Sequence, residues 1–214
     1  MKNLLFVIIS LLALGACNNQ STSKDDSGSD KNSAVAEISE KGTFQPFDID
    51  KDWDENPFTW FKGQGLLLAV GDSVKSNAMT IGWGSLGNLW KEIGANTVTV
   101  YVAEERYTYQ FMEENRYFTV MAFDKDDARI LGYMGTHSGR DGDKAAHLGL
   151  HTLYTEHGTP YYEEASIVLE CEIIYKAPFL KEGMCEDAQK FYEGFSAGVH
   201  HMYIGNVINA LKKE

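Results

Sequence analysis

Hydrophobic positions alternate with polar ones at a spacing of two along most of the chain beyond Phe44, and this period predicts strands. The stretch "GLLLAVGDSVKSNAMTIGW", Gly65 to Trp83, reads as two strands joined by a turn at Gly71-Asp72-Ser73. "NTVTVYVA", Asn96 to Ala103, has the β-branched alternation of a strand with one buried face. "YFTVMAF" and the longer "EASIVLECEIIY" are two more, and "HHMYIGNVINAL" begins as another. The helical period is confined to short connections: "TYQFMEEN", "DDARILGYM", "DKAAHLG" after a loop, and "EDAQKFYEGF". Many short strands with a few helices between them predict a mainly β protein, a closed or nearly closed β-barrel with α insertions. No internal repeat and no second folded domain is visible.

The pattern also tests a tempting motif. Gly82, Gly84 and Gly87 fall in the spacing G-x-G-x-x-G, the phosphate-binding fingerprint of dinucleotide folds. That fingerprint needs a strand before it and a helical crossover of roughly ten to twelve residues or more after it. Only Asn88 to Asn96 separate Gly87 from the next strand, and Gly94 interrupts them. Glu104 and Glu105 stand where a ribose-binding acid would be expected, but the geometry rules the crossover out. The glycines read instead as a bend and a turn where a strand kinks or something flat approaches the backbone.

The amino-terminal pattern differs in kind. Lys2 precedes the apolar run "LLFVIISLLALGA", too short for a comfortable membrane span and suited to a secretory signal. It ends in Leu14-Gly15-Ala16-Cys17, which resembles the lipobox of bacterial lipoproteins, so residues 1–17 are expected to be a lipoprotein signal peptide with Cys17 as the lipidation site. Residues 18–43 are rich in Ser, Asp, Asn and Lys and nearly devoid of large apolar side chains, so they are expected to form a disordered tether. A flexible chain of that length holds its cargo roughly 25–30 Å from the anchor. Residues 44–214 form the expected folded domain, placed at the bacterial cell envelope on the periplasmic face or the cell surface, with the lipid anchor as its contact with the membrane.

With 31 acidic against 19 basic residues the formal charge is −12, which argues against nucleic acid as a partner. Cys171 alternates with Ile167, Leu169 and Ile173 on a strand, so a packed free thiol is expected there, although a bond to Cys185 is chemically open outside the cytoplasm. His147 and His151 are four apart, but "HLGLH" contains Gly149, and no metal site is expected. No Ser/His/Asp triad or Cys nucleophile is evident, so no catalytic residue is assigned.

Six stretches, "NAMTIGWGSLGNLW", "ERYTYQFMEE", "YFTV", "GTHSGRDGDK", "EEASIVLECEIIY" and "HHMYIG", occur in the order seen in the flavin reductase-like family, the FMN-binding split barrels that include flavoredoxin. The resemblance covers nearly everything from Phe47 to Val207. It implies a split β-barrel that forms a homodimer, with FMN near the subunit interface. By the same resemblance Asn77 and Trp83 lie beside the flavin, Thr108 and Lys144 contact it, and His200 is the histidine of the last motif, with His201 on a more variable position. Gly82, Gly84 and Gly87 would let backbone lie close to the isoalloxazine or shape the turn beside it. Residue chemistry adds Arg106 and the loop Ser138-Gly139-Arg140 as donors for a phosphate, with Asp143 as an N-cap before Lys144.

The chain departs from the family pattern in places. Ala103-Glu104 stands where Arg-Pro is frequent, Gly198 stands for an Asp, and Asn206 for a Glu. The function implied is an FMN-dependent oxidoreductase that passes hydride or electrons through flavin N5 to a redox partner or a small-molecule acceptor. The alternative is a non-enzymatic surface lipoprotein that binds flavin or haem, since His137, His147, His151, His157, His200 and His201 are plentiful.

Overall fold

The computed structural model describes residues 42–90, 92 and 96–214. The expected signal peptide, Cys17 and nearly all of the expected tether lie outside the described residues. No helix among the described residues is long and apolar enough to cross a membrane.

Among the described residues ten strands and five α-helices follow one another: β1 Phe44–Pro46, α1 Ile49–Asp52, β2 Leu66–Gly71, β3 Ser76–Ile81, β4 Gly84–Gly87, β5 Thr97–Ala103, α2 Tyr107–Glu114, β6 Tyr117–Ala122, α3 Ala128–Thr136, α4 Lys144–Leu148, β7 Thr152–Tyr154, β8 Pro160–Tyr162, β9 Ile167–Pro178, α5 Glu186–Gly194 and β10 His200–Lys213. The main sheet runs β3-β2-β6-β9-β10-β5-β4, with β1 paired to the far end of β10, and every described pairing is antiparallel. The parallel crossover that a dinucleotide fold requires is absent from the described pairings, in agreement with the spacing argument.

Strand alternation builds two cores from one sheet. Leu66, Leu68 and Val70 of β2 face inward with Phe118 and Val120 of β6, Leu169 of β9 and Tyr203 of β10. Ile81 of β3 and Val98, Val100 and Val102 of β5 lie in the same cluster although they sit towards opposite ends of the strand order. The sheet therefore curls round a common interior. Leu67 and Ala69 point the other way and meet Ile130, Leu131 and Met134 of α3, with Tyr162 of the β7–β8 hairpin. This double burial explains why β2 reads as an unbroken apolar run rather than an alternating one.

The two ends of the strand order, β3 and β4, are consecutive in the chain and joined only through Gly82 and Trp83. They are linked covalently but not by a ladder of hydrogen bonds, and the split in the barrel lies beside that link. Gly84 is required for packing: a Cβ there would overlap the Phe61 ring, whereas one at Gly82 or Gly87 would meet only ordinary contacts. Of the three glycines, expected to lie close to the isoalloxazine or to shape the turn beside it, Gly82 alone reaches the cleft described below. Gly84 seats Phe61, and Gly87 lies on a separate apolar hollow with Trp53 and Leu86.

Strands β1 and β4, helix α1 and the β7–β8 hairpin escaped the sequence reading, and β10, expected only to begin as a strand, runs its full length to Lys213. Cys171 is buried and free, and Cys185 is exposed and free, so the two thiols are not paired.

Candidate functional site: a polar cleft beside the split

A cleft of about 430 Å³ opens beside the β3–β4 link. Asn77, Trp83, Arg106, Thr108, Ser138, Arg140, Lys144 and His200 all line it, so the eight residues expected to bind the cofactor converge on one place. They arrive from β3, the β3–β4 link, the start of α2, the α3–α4 loop, the first residue of α4 and the first residue of β10.

The floor is rigid and polar. Asn77 Nδ2 donates to Thr108 Oγ1 at 2.7 Å, joining β3 to α2, and Thr108 is 1% exposed. The Thr108 hydroxyl keeps its own proton to give. Gly139 presses against this pair: a Cβ there would overlap Asn77 Oδ1 and stand 2.9 Å from the Tyr107 ring. The loop is shaped by the Arg140 N–H, which donates to Ser138 Oγ at 3.2 Å, and by Asp143, which caps α4 by accepting from the Ala146 N–H at 3.0 Å, as expected from sequence.

Lys144 is buried against the floor. Its Nζ donates to the carbonyls of Met134 at 2.9 Å and His137 at 3.1 Å, at the C-terminal end of α3, where orphan carbonyls favour a cation. Burial pushes its pKa down to about 8. The expectation of a lysine devoted to the ligand is refined: two of its three donors hold α3, and one remains.

The positive charge around the cleft is notable in an acidic chain. Lys51, Arg116, Lys176, Lys190 and Lys212 each pair with a carboxylate. Among the described residues Arg106, Arg140 and Lys144 pair with none, nor do the exposed Lys62, Lys125, Arg129 and Lys181 elsewhere. Neither does Lys75, on an adjoining cleft of about 530 Å³ that shares Asn77, Gly139, Arg140 and Lys144. Arg140 instead lies over the Tyr107 ring at 5.1 Å and donates to the Glu105 carbonyl at 3.2 Å.

The mouth is aromatic and more open. Trp83, 45% exposed, packs on His200 at 4.5 Å between ring centroids and on Phe191 at 5.7 Å. Phe195 stacks on the other partner of Trp83, His200, at 5.2 Å, and Tyr192 Oη bonds His200 Nδ1 at 2.8 Å. Burial, with Arg106 nearby, lowers the His200 pKa. Phe191, Tyr192 and Phe195 were not anticipated as part of the site. The only signal in the sequence was the aromatic density of "KFYEGF", which alone says nothing of where α5 docks.

Strand alternation separates the two adjacent histidines. His201 turns from the cleft to Glu104, with Nε2 3.0 Å from its carboxylate. Glu104, a departure from the family pattern, is therefore hydrogen-bonded away from the site. A second departure answers it. Gly198 has φ +79°, and a Cβ there would lie 3.1 Å from Glu104 Oε2, so an acid at 198 would be strained and face a like charge.

The other histidines are tied locally. His137 and His147 both stack on Tyr133, at 3.8 and 4.5 Å, while His151 meets Glu164 and His157 meets Glu170 through Nδ1. Helix α4 ends at Leu148, so His147 and His151 do not share a helix face. His151, Glu163 and Glu164 do bring three ligand-type atoms within 4.8 Å of one another, a grouping that the His–carboxylate pairing accounts for.

No curated protein matches the chain. Among solved structures it resembles flavoredoxin from Methanosarcina acetivorans, at 24% identity and TM-score 0.55 over 70% of this chain and 68% of that one. It also resembles an FMN-binding domain of a flavin reductases-like enzyme from Shewanella baltica, at 16% identity and TM-score 0.56 over 80% and 78%. The flavoredoxin of Desulfovibrio vulgaris gives 22% identity and TM-score 0.52 over 70% and 69%. These likenesses establish a shared split-barrel fold. The model of the flavin reductase like domain matches residues 66–214, which contain the sheet from β2 onward and all eight cleft residues. By that match the chain belongs to the flavin reductase-like family, with the flavin-related oxidoreductase role that the family implies.

Proposed function

We propose that the cleft holds FMN and that the protein is an FMN-dependent oxidoreductase which passes hydride or electrons to a second acceptor. The observation that carries this reading is the gathering of unpaired cations and hydroxyl donors around one cleft in a chain of net charge −12. The cleft fits the group: its volume lies within the roughly 300–1,000 Å³ usual for small-ligand sites, and its lining combines guanidinium, ammonium and hydroxyl donors with the flat face of Trp83. Arg106, Arg140 and the Ser138 hydroxyl supply charge-assisted donors for a phosphate. Asn77 and Thr108 supply oriented amide and hydroxyl groups on the floor, and the remaining Lys144 proton favours an acceptor that gains negative charge. Trp83 and His200 offer flat surfaces for a ring and restrict water at the mouth. FMN, when bound, supplies the two-electron chemistry through N5, and the protein's part is to bind it, orient it and tune its charge.

The exposed apolar surface beside the mouth supports a homodimer. Phe58 is 91% exposed at an apolar hollow with Trp83 and Phe179, and Leu180 follows it. Residues 1–17, 18–43 and 44–214 are read as signal, tether and catalytic domain, with Cys17 as the lipid anchor at the cell envelope. A donor on that side of the membrane is a redox partner or a reduced small molecule rather than cytosolic nicotinamide. The test is the visible spectrum of the purified protein, followed by mass identification of released flavin. A yellow protein releasing FMN is expected, and a colourless one that also refuses added FMN overturns the reading.

A further inference from the structure

The chemistry of His200 is set by a part of the molecule outside the six family stretches. Its partner, Tyr192, lies on α5, which has no buried residue and docks through Phe191, Tyr192 and Phe195 onto the cleft mouth. The Tyr192 hydroxyl is 2.8 Å from His200 Nδ1 and makes no other side-chain hydrogen bond among the described residues. Nδ1 is the one acceptor within reach of the phenolic proton among the described residues, so the hydroxyl donates to it. Nδ1 then lacks a proton, and the neutral ring carries it on Nε2. Among the described residues Nε2 has no hydrogen-bond partner, although the ring is partly buried on the cleft wall next to Arg106.

We propose that Tyr192 is a positioning residue: it fixes His200 as the Nε2–H tautomer and so presents an N–H donor to an oxygen of the molecule bound in the cleft. The proposal rests on the flavin reading for the identity of that molecule, but not for the tautomer. It explains why α5 is docked at this point by a tyrosine whose hydroxyl has a fixed job, whereas packing alone would be served equally by phenylalanine. His200 supplies the contact, and Tyr192 acts only through it.

The experiment uses the full chain and two readouts. The first is nitrogen NMR of the His200 imidazole in the ligand-free protein, which separates the two tautomers. A protonated Nε2 with an unprotonated Nδ1 is expected, changing to a mixture in Tyr192→Phe, a variant that keeps the ring packing. The second is FMN titration. Tyr192→Phe is expected to weaken binding about three- to tenfold, the worth of one hydrogen bond, and to have no further effect in a His200→Ala background. A protonated Nδ1 in the native protein, or a tautomer unmoved by Tyr192→Phe, overturns the positioning role. The expected tautomer together with unchanged FMN binding in Tyr192→Phe overturns the contact to the ligand. A native protein that takes up no FMN at all overturns the flavin reading instead, and is recognised because the variants then have nothing to weaken.

Discussion

The floor and the mouth of the cleft are built on opposite terms. The floor is made of buried polar groups, Asn77, Thr108 and Lys144, held by the sheet, α2 and the carbonyls of α3. The mouth is made of half-exposed rings, Trp83 and Phe191 among them, held by one another and by a helix with no buried residue. Buried polar groups tolerate little change because each lost partner strands another in a dry setting. Exposed rings lose area gradually and can repack. The floor should therefore act as a precise template and the mouth as an adjustable rim, and substitutions in the two should differ in kind as well as size.

The sharpest test of the floor is Gly139→Ala. The added methyl overlaps Asn77 Oδ1 and crowds Tyr107, so either the loop or the Asn77–Thr108 bond must move. Overpacking of this sort costs about 1–3 kcal/mol, and here it strikes the binding geometry directly. FMN affinity is expected to fall by up to about a hundredfold, with a matching drop in the denaturant midpoint. An unaltered affinity would show that the floor is as pliant as the mouth.

What could be read from the sequence cuts across this contrast. Asn77, Thr108 and Lys144 of the floor were legible through the family resemblance, as were Trp83 and His200 of the mouth, and local pattern added only the strand that carries Asn77, the helix whose first turn holds Thr108 and the N-cap Asp143 before Lys144. The barrel was legible from strands of period two. What stayed hidden depends on contacts between distant segments. Nothing in "KFYEGF" reveals that Phe191 meets Trp83, more than a hundred residues away, and nothing near Gly198 reveals Glu104 across the sheet. The role expected of Lys144 was incomplete because its carbonyl partners are set by how α3 ends, not by spacing.

Thr108→Val sharpens the comparison with a nearly isosteric change. It leaves Asn77 Nδ2 buried without its acceptor, and an unsatisfied buried donor costs about 1–3 kcal/mol. The melting temperature should fall even without ligand, and Thr108→Ser, which keeps the hydroxyl, should restore most of the loss.

Lys144 tests the floor through pH. With its pKa pushed down to about 8 in the fold and an ordinary value of 10.5 in the unfolded chain, the unfolded state binds the extra proton between those limits. Its contribution to stability therefore rises with pH across that window. Binding of an anionic ligand needs the charged form, so affinity should be level below about pH 8 and fall up to about tenfold per unit above it. The two slopes have opposite signs, and Lys144→Met should remove both when compared with the native chain. A native affinity that is flat from pH 7 to 10 would place the ligand away from Lys144.

Phe191→Ala should have the smallest effect, because the ring is 44% exposed and its loss leaves no sealed cavity. Stability should change by less than about 1 kcal/mol, and FMN affinity by about two- to threefold as Trp83 loses one of its two ring neighbours. The decisive measurement is its combination with Thr108→Val. The two side chains share no described hydrogen-bond or ring partner, so their effects on affinity should add within about 0.5 kcal/mol. Additivity would mean that floor and mouth hold the ligand through separate contacts. A coupling clearly larger than that would mean that the mouth closes only over a correctly seated floor, making α5 part of the template rather than its rim.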